Sequence, residues 1–319
     1  MDINGFFRKN LFGLVLATVI LGILFGWQLP QAAPFLKSLI SPVLFLMIFV
    51  MIIPIEFKEL IAIHHYKKEV VVGIFTILIL APLIAYLINF VIPAEYDFLK
   101  AGLILAATMP PGGMIVSWTA LLDANIELAM ILQTLTFLFA FLTIPLTLSL
   151  LFSNSVPFSQ SLLIQNLIFY ILLPLIAGFV TQVLLKKKYS KEEIKSWKPT
   201  LATISGLCAL LMVFISTFLK ADTIISNPQI LLLGLLVPSV YYMITFLVTF
   251  YLSRYIIGSY ENQMPIVYGT ASKNLSIGLA LAISVFSGSI VLGVVFCFLT
   301  QMPELSLFYR FVRKNNKKG

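Results

Sequence analysis

The stretch "ATMPPGGMIVSW", Ala107 to Trp118, decides how this chain is read. It lies in the middle of an apolar segment long enough to cross a bilayer, yet it sets two prolines and two glycines side by side. Pro110 and Pro111 have no N–H to donate and clash with the preceding turn, while Gly112 and Gly113 let the backbone take almost any angle. A single proline gives a kinked helix; four breakers in a row predict an unwound stretch. Bare peptide groups at membrane depth are too costly to face lipid, so such a stretch must line a cavity or be packed in protein.

The surroundings are those of a membrane protein. Of 319 residues, 60% are hydrophobic and 11% charged, with a mean hydropathy of +1.03. Apolar segments long enough to span roughly 30 Å of hydrocarbon recur from end to end. Ten spans are expected: Leu11 to Leu29, Leu39 to Phe57, Val70 to Ile92, Leu99 to Leu122, Ile126 to Phe152, Leu162 to Leu185, Thr200 to Leu219, Ile230 to Tyr251, Pro265 to Phe286 and Ile290 to Phe308. The first is too long for a signal-peptide core and is expected to be retained. The net charge of +8 reads as topology rather than as a nucleic-acid surface. With the N-terminus inside, seventeen of the twenty-one Lys and Arg fall in cytoplasmic segments, and the outer loops keep Lys37, Lys100 and Lys220. By the positive-inside rule both termini are cytoplasmic, in a multi-pass protein of the cell membrane.

The chain divides after five spans into halves, residues 1–160 and 161–319, and the long hydrophilic connection "KKKYSKEEIKSWKPT" follows the sixth span, on the cytoplasmic side. The halves resemble each other. "NLFGLVLATVILG" from Asn10 matches "NLIFYILLPLIAG" from Asn166, and "FAFLTIPLTLSLLF" from Phe139 matches "FCFLTQMPELSLFY" from Phe296. These fall at the same ordinal helix of each half. Because five is odd, the second copy enters from the opposite side, which makes an inverted-topology repeat, a transporter architecture. The expected fold is therefore an all-α membrane protein of ten transmembrane helices, two inverted five-helix repeats with discontinuous fourth and ninth helices.

In such folds the site lies near the midplane, at breaks in corresponding helices. The ninth reads "YGTASKNLSIGLALAIS", where Gly269, Thr270, Ser272, Lys273, Asn274, Ser276 and Gly278 interrupt an apolar span. Lys273 is eight residues past Pro265, about 12 Å along a helix, too deep to reach the near interface easily. A midspan lysine is a functional candidate by default; the alternative is a structural charge partnered to carbonyls or to Glu304. Ser117 and Thr119 follow the fourth-helix break, and Gln133, Thr134 and Thr136 lie on the fifth. Each can bind a solute or a small cation, or act as ordinary interhelical glue. Glu304 either faces cytoplasmic water or joins Lys273 in a proton relay. His64 and His65 read as solvated residues of a basic loop. Cys208 and Cys297 suggest neither a disulfide nor a metal site, and no cofactor or metal is expected. The spans contain no histidine, paired carboxylates or nucleophile motif, so an intramembrane enzyme lacks its players.

Together, the Pro-Gly-Gly break, "KNLSIGLALA" in the ninth helix and the two halves resemble the bile acid:sodium symporter superfamily, to which the arsenite efflux carriers are related. The resemblance implies a panel domain and a core domain, with the fourth and ninth helices crossing at their unwound centres and alternating access about that crossover. It also exposes departures. Sodium-coupled members carry Glu-x-x-x-Gln-Asn in the ninth helix; here Gly269, Lys273 and Asn274 occupy those places. A third-helix glutamine five residues before a proline corresponds to Ile77, counted from Pro82. A Ser-Asn pair after the glycines is reduced to Val116 and Ser117, and the fourth-helix cysteine of the arsenite branch is missing. With those ligands replaced, the Lys273 ammonium is expected to take the place of the missing cation and to hold the two broken helices together when charged. The expected activity is secondary transport of a small organic anion, sodium-independent or proton-coupled. The alternatives are a sodium-coupled, bile-acid-like symporter or a metalloid exporter. The partners are the solute and the lipid bilayer, not nucleic acid. Pro110, Pro111, Gly112, Gly113, Ser117, Thr119, Gln133, Thr134, Thr270, Ser272, Lys273, Asn274 and Ser276 form the candidate binding set, with Lys273 and Glu304 as the candidate proton relay.

Overall fold

A computed structural model describes residues 3–53, 63–152, 159–227, 229–286 and 290–316. They form sixteen α-helices. In order these are α1 (Ile3–Gln28), α2 (Ala33–Ile52), α3 (Lys67–Phe75), α4 (Ala81–Ile88), α5 (Asp97–Thr108), α6 (Met114–Leu121), α7 (Ile126–Phe152) and α8 (Gln160–Leu167). There follow α9 (Leu173–Lys188), α10 (Lys191–Ser196), α11 (Lys198–Phe218), α12 (Ala221–Ser226), α13 (Gln229–Ile257), α14 (Tyr260–Ala271), α15 (Leu275–Val285) and α16 (Ile290–Asn316). Among the described residues, six helical stretches are long and apolar enough to cross a membrane: Pro30–Ile52, Lys67–Val91, Ile126–Phe152, Glu192–Phe218, Gln229–Ile257 and Ile290–Lys314. Gly13–Gln28 and Leu275–Val285 are shorter apolar helices. The end of the expected second span, and Lys58, Lys317 and Lys318 of the charge pattern, lie outside the described residues.

Local chemistry sets the boundaries. The eighth span, expected to stop at Tyr251, continues as α13 to Ile257. It ends where Gly258 takes a φ of +76°, the left-handed conformation that terminates helices. Ser259 then caps α14 by accepting the Asn262 N–H on its hydroxyl, so α14 starts before the expected Pro265. Two π turns, Thr76–Leu80 and Ile168–Leu172, each precede a proline by one residue, Pro82 and Pro174. Each π turn widens the helix just ahead of the ring that would otherwise meet the preceding turn.

The chain divides into two compact units, each drawing on both halves of the sequence. One comprises Met1–Ile55, Phe158–Leu231 and Ser276–Val295. Its helices α1 and α11 meet at small residues spaced four apart: a Cβ built on Gly22 would collide with Thr217 Oγ1, and one on Gly26 with the Phe218 carbonyl oxygen. Close backbone approach of this kind is how helices pack where lipid offers no hydrophobic driving force. Gly178 of α9 meets Ile52 of α2 in the same way, and the Gln182 amide donates to the Ile53 carbonyl at 2.9 Å.

The other unit comprises Glu56–Pro157, Leu232–Leu275 and Phe296–Gly319. One cluster in it gathers Val70, Ile77, Ile115, Leu128, Leu132 and Ile266; another gathers Phe246, Phe250, Met264, Tyr268, Leu305 and Phe308, with Phe246 and Phe308 stacked at 3.6 Å. A polar tie joins three of its helices at one end. The Asn125 amide donates to Asn262 at 2.8 Å, and the Asn262 amide donates to Glu69 at 3.1 Å.

Replacing Gly26 by valine should lower the unfolding midpoint of the detergent-solubilised protein, by an amount on the order of 1–3 kcal/mol. Gly13→Ala, with nothing within 4 Å of the new Cβ, should be neutral or mildly stabilising through helix propensity. Equal behaviour of the two variants would refute the close-approach account.

Candidate functional site

Helix α5 ends at Thr108, and Met109 is extended at φ −65°, ψ 144°, the conformation a residue before proline prefers. On the other strand α14 ends at Ala271, and Ser272 leaves the helix at φ −90°, ψ 83°. The two unwound segments pair. Pro111 and Lys273 form an isolated antiparallel bridge. The Asn274 N–H donates to the Pro110 carbonyl at 2.8 Å, and the Gly112 N–H donates to the Ser272 carbonyl at 3.2 Å. In this register Pro111 and Lys273 are a non-hydrogen-bonded pair, so the missing N–H of Pro111 leaves no gap in the ladder. A Cβ on Gly112 would lie 3.7 Å from Asn274 Cα, in ordinary contact. There is thus room for a side chain there, and the glycine does not take a left-handed φ.

Lys273 is 1% exposed, and its Nζ donates to the Ile77 carbonyl at 2.8 Å. That carbonyl is available for a local reason. In the π turn the Ala81 N–H goes to the Thr76 carbonyl; the next donor in that register would be residue 82, which is proline and has none. The ammonium fills a position that Pro82 leaves empty. Of the two structural partners expected for Lys273, the geometry selects the carbonyl. Among the described residues no carboxylate pairs with it. The lysine backbone is held as well: its N–H donates to Gln301 Oε1 at 2.8 Å, and Gln301 Nε2 donates to its carbonyl at 3.2 Å. Tyr242 Oη donates towards Gln301 Oε1 and the Cys297 carbonyl, both at 3.3 Å. One turn before Lys273, Thr270 donates to Thr76 Oγ1 at 2.9 Å. A Cβ on Gly269 would stand 2.8 Å from Ile115 Cδ1 and 3.1 Å from Ile77 Cδ1, so hydrocarbon closes that place.

The other candidates fall into groups. Pro110, Pro111, Gly112, Ser272, Lys273 and Asn274 meet at the bridge and are buried. Gly113 and Ser117, one helical turn apart on α6, are exposed, and a Cβ on Gly113 would lie 4.0 Å from the amide nitrogen of buried Gln133. Together these three offer an open polar lip. Thr119 and Ser272 bond back to the Ile115 and Tyr268 carbonyls of their own helices. Thr134 is buried on α7, and Ser276, in the first turn of α15, is assigned to the other unit. Glu304 is half-buried on α16, with Ser239 of α13 near its carboxyl. Sequence reasoning missed Gln301 and Tyr242. The signal for Gln301 was an amide in the middle of an apolar span, the same signal that singled out Gln133.

Comparison with known proteins now becomes decisive. Residues 41–227 match the Sodium Bile acid symporter family, and the match takes in more than half of the chain. The chain belongs to that family. Similar proteins include the uncharacterized sodium-dependent transporter YocS of Bacillus subtilis (strain 168), 25% identical over 84% of this chain and 81% of its own length. An uncharacterized transporter of Synechocystis is 24% identical over 97% of this chain and 88% of its own. The arsenical-resistance protein Acr3 of Alkaliphilus metalliredigens is 25% identical over 72% and 70%. This member of the family is accordingly a multi-pass membrane transporter and not an enzyme.

The link between Pro82 and Lys273 can be tested by a double-mutant cycle. Lys273→Met removes the donor to Ile77, and Pro82→Ala supplies a backbone N–H in its place. Pro82→Ala should therefore be more favourable by about 1 kcal/mol in the Lys273→Met background than in the wild type. Additive shifts in unfolding midpoint would show that the two residues do not share the Ile77 carbonyl.

Proposed function

We propose that this transporter carries a small organic anion by alternating access at the crossover, without sodium, and with the Lys273 ammonium in the place of the cation. The proposed architecture is ten transmembrane helices in two inverted repeats, residues 1–160 and 161–319, with both termini cytoplasmic and α5/α6 and α14/α15 as the discontinuous fourth and ninth helices. The observation that carries the reading is the 2.8 Å contact from Lys273 Nζ to the Ile77 carbonyl. The three places that the family resemblance gives to sodium ligands are Gly269, Lys273 and Ile77. Here they are filled by isoleucine side chains and an ammonium. An ammonium within about 4 Å of a sodium ion would repel it by roughly 4 kcal/mol at an effective dielectric of 20, close to a thousandfold in affinity.

For the solute, support comes from the start of α6. Its first-turn N–H groups and the positive end of its dipole lie at exposed Gly113, beside Ser117 and Gln133. That arrangement favours an anion. Lys273 contributes through its field rather than by contact, since its ammonium is enclosed on Ile77. Proton coupling, where it operates, uses Lys273 and Glu304 as the exchanging groups. The sodium-dependent relative favours the alternative of a sodium symporter, and the arsenical-resistance relative that of a metalloid exporter.

Counterflow in proteoliposomes separates these readings, with taurocholate, short-chain carboxylates and arsenite as probes in sodium or choline buffer. Uptake of an organic anion should be unchanged when choline replaces sodium, and Lys273→Gln should abolish or uncouple it. A steep sodium dependence in the wild type that survives in Lys273→Gln would overturn the proposal. Pro111→Ala combined with Gly112→Ala restores helix propensity where a Cβ has room. It should leave the protein inserted but cut exchange by roughly tenfold or more; wild-type exchange would remove the case for an essential break.

A further inference from the structure

The bridge between the broken helices leaves one side of Lys273 unaccounted for. Because Pro111 and Lys273 are the non-hydrogen-bonded pair of the ladder, the N–H and C=O of Lys273 point away from Pro111, to the side where a third strand would lie in a sheet. No strand is there among the described residues; the side chain of Gln301 from α16 is. Its primary amide has the donor and acceptor of a peptide group, and it meets Lys273 as one: Oε1 takes the N–H at 2.8 Å, and Nε2 gives to the carbonyl at 3.2 Å. The Lys273 backbone fixes which way the amide faces, since a flipped amide would set NH₂ against its N–H and the amide oxygen against its carbonyl. The Tyr242 hydroxyl lies 3.3 Å from Oε1 and donates towards it.

We propose that Gln301 is a positioning residue, a one-residue stand-in for a third strand. It holds Lys273 in the register from which the ammonium reaches the Ile77 carbonyl. The inference rests on the transport reading above, in which that ammonium replaces the coupling cation. The Lys273 carbonyl also accepts the Leu275 N–H at 3.0 Å, so what Gln301 alone supplies is an acceptor for the Lys273 N–H. Without it a buried donor is left bare at the crossover, and the segment turns to satisfy it elsewhere. The lysine side chain, anchored on that segment, then loses its line to Ile77. The titratable groups around Gln301 are Tyr242 on α13, Lys273 itself, and Cys297 and Glu304 on α16.

Protection of Lys273 against reductive methylation tests this without any solute. Purified full-length protein is treated with formaldehyde and cyanoborohydride. Modification of Lys273 is read by mass spectrometry as a ratio to Lys68, which is exposed in the same chain, and each variant is compared with the wild type at the same pH, which removes the effect of pH on amine reactivity. The wild-type ratio should be low. Gln301→Met keeps the bulk of the side chain and removes both hydrogen bonds; its ratio should rise by about tenfold, the loss expected for one unmade buried bond. Gln301→Glu restores the pattern only as the neutral acid, whose C=O accepts the N–H and whose O–H donates to the carbonyl. At the acid end its ratio should equal that of the wild type; once ionised it still accepts the Lys273 N–H and loses only the donor to a carbonyl that Leu275 also serves, so any rise with pH should stay well below that of the methionine variant. A methionine variant as protected as the wild type would overturn the proposal, and so would a glutamate variant unprotected at the acid end. If the methionine variant does not fold, the acid-end comparison of the glutamate variant with the wild type decides alone. Sodium dependence of uptake is measured with Gln301 intact and amine protection without solute, so either conclusion can fail by itself.

Discussion

In hydrocarbon a peptide group must find its partner within the protein, and two helices broken at membrane depth each present several that have none. The hydrogen bonds from Asn274 to Pro110 and from Gly112 to Ser272 let the two breaks satisfy each other. Neither break is tenable alone: rewinding α5 into α6 would strip the partners from the segment between α14 and α15. The breakers of the first segment and the polar residues of the second are therefore one feature, although more than 150 residues separate them. The register of the bridge decides where a proline is admissible. Pro111 stands opposite Lys273, at the position that asks nothing of its nitrogen.

The same constraint recurs at two other prolines of this unit. Pro265 inside α14 removes the donor to the Glu261 carbonyl, and the Asn125 N–H takes its place at 3.0 Å. Pro82 and its π turn empty the Ile77 carbonyl, and the Lys273 ammonium fills it. A buried ammonium needs such partners, because an isolated charge in a medium of low dielectric carries a large desolvation cost. A charge-assisted bond to a carbonyl contributes about 1.5–3 kcal/mol. The C-terminal end of α14, where helical carbonyls accumulate negative potential, is also a favourable place for a cation. The chain thus builds a cation site out of backbone oxygen and occupies it with its own side chain.

What the sequence disclosed follows from how each feature is encoded. The break at Pro110 to Gly113 is written in residues that do little else, and Lys273 was conspicuous because a charge in an apolar span has few explanations. The packing of α1 on α11 through Gly22 and Gly26 was harder to see, since glycines in an apolar helix announce close approach without naming the partner. The role of Ile77 was hidden for a deeper reason: its side chain is ordinary core, and its carbonyl, which does the binding, is common to all residues. Only the proline five positions on marks it. Gln301 was missed because the run around it, "FCFLTQMPELSLFY", was read for its likeness to the fifth helix and not for the amide within it. The eighth and ninth spans were misplaced at their ends because hydropathy records where lipid contact stops, whereas Gly258 and Ser259 record where the hydrogen bonding does.

Under the proposed reading, a cation carried on a side chain changes what the transporter can do. A free sodium ion enters from one face and leaves at the other, and its gradient drives the solute. The Lys273 ammonium travels no farther than its own stem allows, so it completes the crossover electrostatically but brings no energy from outside. Net movement of the solute against its gradient then requires another source. A proton is the group that Lys273 can release without leaving its place, and Glu304 lies one helical turn from Gln301 on α16, near Ser239. The polar line from Lys273 through Gln301 is continued on the same helix face by a carboxylate that can take up and return a proton. A chain lacking that exchange would still equilibrate or exchange anions across the membrane, because the crossover stays intact while Lys273 keeps its charge. Tethering the cation therefore separates two functions that sodium performs together in its symporters, holding the broken helices in register and supplying the driving force, and leaves only the first to the lysine.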